Sequence, residues 1–238
     1  MTPEGAVIDL IKERLAIFEA VIFDWDGTLA DTRSAVVKGF QKVLASIGCF
    51  VTDRFIERRI GIGAKNTFRQ ALEARNMPFD EAKLDGLVKM KTEIQTGLTK
   101  EVDLFEGAIE LLDSLHGRLK MALATMSNRR VIDKLLLEKE VAEYFDFVLS
   151  VDEVSEPKPD PEIFLRCAGE LRTHPEHCVV VEDSVFGVEA AKKAMMKCIA
   201  VPTGAYSAEE LREEEPDLIV GSLKERERIL ALIFGRNP

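Results

Sequence analysis

Residues 20–28 read AVIFDWDGT, an apolar run that breaks off into Asp24, Asp26, Gly27 and Thr28. A short unbroken apolar run suits a strand buried on both faces of a parallel sheet, which presents its first polar groups at its carboxyl end. Residues i and i+2 point alike in a regular strand, but Gly27 lets the chain turn. One carboxylate can then face a reacting centre while the other reaches the leaving oxygen, which supplies a nucleophile and a general acid/base. Two other readings compete. The acids could simply cap the next helix from a turn. A calcium loop starting at Asp24 would need a bidentate carboxylate at its twelfth position, which is Ala35.

Further along the chain, apolar runs recur at 119–125 (LKMALAT), 145–150 (FDFVLS) and 178–183 (CVVVED), with shorter ones at 197–201 and 217–220. Helical periodicity fills the gaps at 107–116, 128–139, 161–171, 185–195 and 223–234. This alternation predicts an α/β fold, a Rossmann-like doubly wound parallel sheet whose ligands sit beyond the carboxyl ends of the strands. From Thr32 to Leu104 only helical patterns occur, at 35–47, 66–75 and 79–96, punctuated by Gly48, Gly61, Gly63 and Pro78. The expected organisation is an N-terminal helical extension over 1–19, a core over 20–31 and 105–238, and an inserted all-helical cap over 32–104. Hinges are expected at 30–32 and 102–106.

Three more strand ends carry chemistry. Thr125 is followed by Met126, Ser127 and Asn128 at a helix start, where a hydroxyl and main-chain amides can cradle an anion; the plainer reading makes Ser127 or Asn128 a helix cap. Lys158 sits in EPKPDP (156–161), where flanking prolines restrain an ammonium, although Asp160-Pro161 is also an ordinary helix start. Glu182 and Asp183 form an acidic pair beside Asp24. Such a cluster repels itself unless a cation lies among its members, and oxygen ligands next to a phosphate point to Mg²⁺. Asp183 or Ser184 capping the following helix is the simpler alternative.

FDWDGTLADT (23–32), ALATMSN (122–128), EPKPDPEIF (156–164) and VVVEDSVFGVEAA (179–191) resemble the four signature motifs of the haloacid dehalogenase-like superfamily. The helical cap after the first motif is similar to the branch of phosphoglycolate phosphatases and beta-phosphoglucomutases. The resemblance implies a Mg²⁺-dependent phosphatase of small phosphate monoesters in which Asp24 becomes phosphorylated and Asp26 protonates the leaving group and then activates water. It further implies that Asp24, the Asp26 carbonyl and Asp183 bind Mg²⁺, with Glu182 ligating directly or through water. Thr125, the amides around Met126 and Asn128, and Lys158 would hold phosphoryl oxygens. Retention of Asp26 argues for phosphate esters over haloacids or phosphonates. A mutase of this branch would carry a cap histidine twelve residues after the nucleophile, where this chain has Val36. A phosphorylatable-aspartate signalling domain would lack the second acid and need about half the length.

A formal charge of −10 disfavours a broad nucleic-acid footprint, and no stretch is long and apolar enough to span a bilayer. Cys49, Cys167, Cys178 and Cys198 form no CxxC pair and read as reduced buried thiols of a cytoplasmic protein, monomer or homodimer, acting on a small phosphorylated metabolite. In the cap, Gly61-Ile62-Gly63 with Arg58, Arg59 and Lys65 is expected to face the cleft and select the non-phosphate end of the substrate. A solvated face accounts for those charges equally well.

Overall fold

The computed structural model describes residues 18–235. The expected N-terminal helical extension lies outside them, apart from Phe18 and Glu19. Six strands form one parallel sheet: β1 (Ala20–Phe23), β4 (Lys120–Ala124), β5 (Phe147–Leu149), β6 (Cys178–Glu182), β7 (Lys197–Ala200) and β8 (Leu218–Ile219), in the order β5-β4-β1-β6-β7-β8. β1 is central, paired with β4 on one side and β6 on the other. The winding direction reverses beside it, so its carboxyl end opens into the crevice where doubly wound sheets bind ligands. Alternate β1 residues serve opposite faces: Val21 and Phe23 join one core cluster, Ala20 and Ile22 the other. Burial on both faces is why this strand is apolar throughout.

Helices 108–115, 129–138, 162–170, 185–193 and 226–234 match the expected periodicities to within a few residues. The insertion folds as helices Arg33–Ser46, Asp53–Glu57, Ala64–Ala74 and Glu81–Gly97. They share a separate apolar cluster that includes Val43, Leu44, Phe68, Leu72 and Leu84. Asp80 caps the last of these helices by accepting a hydrogen bond from the Lys83 amide at 2.8 Å. The two stretches read as hinges pair with each other: β2 (Ala30–Asp31) runs antiparallel to β3 (Asp103–Leu104). Neither this ribbon nor the short helices at 53–57 and 208–213 figure in the reading from sequence. Two-residue strands and single-turn helices are too short to show a period.

Candidate active site

β1 hands its carboxylates to the crevice through a tight turn. The Asp24 amide still donates to the Val181 carbonyl at 3.0 Å, after which the amides of Thr28, Leu29 and Ala30 all converge on the Trp25 carbonyl. Gly27 has φ of +90°, a conformation that side chains with a Cβ disfavour. Asp24 and Asp26 both end up buried.

Lys158 is the electrostatic hub. Its fully buried ammonium lies 2.7 Å from Asp24 Oδ1 and 2.7 Å from Glu182 Oε1, and donates to the Ala124 carbonyl at 3.2 Å. Burial alone would lower the pKa of this lysine, but the Asp24 and Glu182 carboxylates outweigh that effect and hold it above the ordinary range. Asp24 moves the other way. Burial raises its pKa well above the usual carboxylate range, Glu182 and Asp26 add to the rise, and Lys158 opposes it. Glu182 uses its second oxygen at home: Oε2 accepts from the amides of Asp183 and Ser184, both at 2.8 Å, and from the Ser184 hydroxyl at 3.0 Å. Gly187 makes room for this carboxylate, since a Cβ there would fall 1.8 Å from Glu182 Oε1.

Asp183 completes an acidic group with Asp24 and Glu182 whose ligand atoms lie within 4.8 Å of one another. Burial, then Glu182 and Asp24, push the pKa of Asp183 well up. Thr28 Oγ1 donates to Asp183 Oδ1 at 3.2 Å, while Oδ2 lies against two glycines: a Cβ would sit 2.3 Å away at Gly27 and 1.6 Å away at Gly204. Three buried carboxylates, two of them on one ammonium, all oxygen donors, fit a hard divalent cation. Asp24 and Asp183 are the better-placed side chains, because both oxygens of Glu182 already accept protein donors.

Asp26 faces a different set. Its Oδ2 accepts from Ser127 Oγ at 2.7 Å and Thr125 Oγ1 at 3.1 Å, and the Thr125 hydroxyl also accepts from the Ser127 amide at 3.0 Å. Its Oδ1 is buried with no hydrogen-bond partner among the described residues. Thr125, expected to hold an anion, is here the anchor of Asp26, and Ser127 shares that role. Asn128 is the helix cap of the plainer reading: its Oδ1 accepts from the Arg130 amide at 3.1 Å and its Nδ2 donates to Asp152.

Asp26, Met126, Ser127 and cap residues including Val36, Arg59, Gly61 and Lys91 line a chamber of about 20 Å³. Lys65 lies outside its lining, paired with Glu81 at 2.9 Å and Asp85 at 2.6 Å on the wall of an adjoining groove of about 590 Å³. Arg59 lines the chamber, and its guanidinium donates to Gln70 and the Phe55 carbonyl, both at 2.8 Å. Arg58 turns to the core, 2.6 Å from Glu210 and stacked on Tyr206. The cap cation that the sequence reading missed is Lys91. It is buried on helix Glu81–Gly97, 5.1 Å from the centre of the Phe40 ring, and burial lowers its pKa to about 8 while Asp26 opposes the shift.

The family model described as haloacid dehalogenase-like hydrolase matches residues 21–201. The chain is 33% identical over 187 residues to fructose-1-phosphate phosphatase YqaB of Escherichia coli, covering 77% of this chain and 96% of that protein. It is 35% identical over 180 residues to the phosphorylated carbohydrates phosphatase of Thermotoga maritima, covering 74% and 81% respectively. Its structure is similar to beta-phosphoglucomutase from Clostridium difficile, with a TM-score of 0.82 and 27% identity over 91% of this chain and 97% of that one.

Proposed function

The chain belongs to the haloacid dehalogenase-like hydrolases and is a phosphatase of small phosphorylated substrates; we propose that Asp24 is its nucleophile, Asp26 its acid and base, and sugar phosphates its substrates. An Asp24 carboxylate oxygen attacks phosphorus, and the ester oxygen leaves with a proton taken from Asp26. Asp26 then takes a proton from water, whose oxygen attacks the aspartyl phosphate and frees inorganic phosphate. Phosphoryl transfer depends mainly on positioning and on neutralising the equatorial oxygens. Lys158 beside Asp24 supplies one fixed positive charge for them, and the main-chain amides around Met126 would donate to the same oxygens.

The side chains of Asp24 and Asp183, with the main-chain carbonyl of Asp26, would hold Mg²⁺. When bound, the cation supplies the charge neutralisation that these carboxylates lack and that the phosphoryl oxygens require.

One observation carries this reading. Asp26 has one oxygen fixed by two hydroxyls and the other without a hydrogen-bond partner among the described residues, and it lines a chamber together with Lys91. A carboxylate held that way can pass a proton without first breaking a protein hydrogen bond. The space beside Asp26 is small in this structure, and opening of the cap would enlarge it for a substrate. Lys91 then faces the leaving group, in the place where the sequence reading had put Arg59 and Lys65. Val36, apolar on the chamber wall, supports hydrolysis over mutase chemistry, because no imidazole stands there to favour a sugar hydroxyl over water. A cytoplasmic setting is part of the same proposal, supported by four buried free thiols; no described helix is long and apolar enough to cross a membrane.

The test is phosphate release from an aryl phosphate and then from a panel of sugar phosphates, for wild type and Asp24→Asn, with Mg²⁺ and with chelator. Release should need both Asp24 and the cation. Full activity in Asp24→Asn would remove the proposal.

A further inference from the structure

Arg33 opens the first cap helix, yet its guanidinium is bonded to the core. It donates to the main-chain carbonyls of Thr203, at 3.0 Å, and Gly204, on the loop that follows β7. That loop is the wall behind Asp183, since a Cβ at position 204 would fall 1.6 Å from Asp183 Oδ2. It is also tied to the turn after Asp26, where Thr203 Oγ1 donates to the Gly27 carbonyl at 2.6 Å. A second cap arginine grips the same loop further on. Arg58 donates to the Ala205 carbonyl at 3.3 Å, and the Tyr206 hydroxyl donates to the Arg58 carbonyl at 2.7 Å. Cap and core therefore meet on residues 203–206, and Gly204 is the point at which that contact touches an acidic side chain of the active site.

We propose that Arg33 is a positioning residue for Asp183: by holding the carbonyls of Thr203 and Gly204 it seats Gly204 against Asp183 Oδ2 and so presents the carboxylate for a divalent cation when the cap is docked. The inference rests on the reading of Asp183 as a cation ligand. Thr28 fixes only Oδ1 of this group, leaving Oδ2 to be placed by the backbone that surrounds it. Arginine suits the task because a single planar Nη2 carries two N–H donors at a fixed angle, one for each of two neighbouring carbonyls, whereas an ammonium presents a point charge on a flexible stem. The bonds cross from cap to core, so the position of Asp183 becomes sensitive to whether the cap is in place.

The test is Mn²⁺ binding to the full-length, substrate-free protein, followed by electron paramagnetic resonance, for wild type, Arg33→Ala, Arg33→Lys and Lys38→Ala. Circular dichroism melting reports folding. Lys38 lies on the same helix and pairs with Glu101 on the exposed surface, so its variant should bind Mn²⁺ as wild type does. Arg33→Ala should weaken Mn²⁺ binding by about tenfold or more, the usual effect of losing a partner that orients a metal ligand. Arg33→Lys should recover part of the loss, and it gives the same comparison if the alanine variant fails to fold. Arg33 variants that stay folded and bind Mn²⁺ within about twofold of wild type would overturn the inference. A wild type that binds no Mn²⁺ would overturn the cation reading beneath it, so the two failures are distinct.

Discussion

The Lys158 ammonium and the Asp24 carboxylate, 134 residues apart in the chain, meet at 2.7 Å with the lysine fully buried. Two charges taken out of water are tolerated only as partners, and removing one leaves the other buried and uncompensated. Lys158→Met should therefore destabilise the protein by about 3–5 kcal/mol at neutral pH, beyond what the lost packing explains. Urea unfolding in chelator measures this. A loss under about 1 kcal/mol would mean that water reaches the pair.

The acidic group predicts a stability profile that reverses with metal. Asp24 and Asp183 have folded pKa values above the ordinary range, chiefly through burial, so without a cation the folded state binds protons more tightly than the unfolded state. Their contribution is fully present at pH below the ordinary carboxylate value of about 4 and is lost as pH rises through the raised folded values. In chelator, the melting temperature should decline over that span once other groups are allowed for. Saturating Mg²⁺ should remove the decline, because the cation favours the charged form. Identical profiles with and without metal would contradict the assignment.

Ser127 donates to Asp26 Oδ2 at 2.7 Å and so orients the proposed acid and base. Ser127→Ala should lower kcat by roughly ten- to a hundredfold, since a hydrogen bond to a charged group contributes about 1.5–3 kcal/mol. KM should change much less. A fall confined to KM would instead place Ser127 against the substrate.

Lys91 has a folded pKa of about 8 against an ordinary 10.5, lowered by burial. Between those values the unfolded chain keeps a proton that the folded chain has released, so stability rises with pH across the window. Lys91→Met should abolish the rise. If the ammonium faces the leaving group, KM for a sugar phosphate should also climb as pH passes about 8 in the wild type and stay level in the variant. Steady-state kinetics from pH 7 to 9 check this.

The sheet was legible because β1, β4 and β6 are apolar runs, buried almost throughout, that lead into polar residues; the acids were legible because they lie at those ends, and Lys158 because prolines flank it in the loop after β5. Contacts over long sequence separations were not. Ser127 reads locally as a cap, and its partner Asp26 is 101 residues away. Asn128 does with its side chain what a residue before a helix ordinarily does, accepting from the Arg130 amide. Nothing in VKMKTE (88–93) separates Lys91 from Lys89; the fold buries the first and leaves the second exposed. Arg33 likewise looks like any charged residue at a helix start until Gly204 is packed behind Asp183.

Covalent capture of the phosphoryl group tests the nucleophile most directly. Wild-type protein mixed with Mg²⁺ and excess aryl phosphate, quenched in acid and digested, should yield one phosphorylated peptide, with the group on Asp24. Phosphate release that proceeds with the label on another residue, or with no covalent label under conditions where hydrolysis of the intermediate limits turnover, would contradict the account.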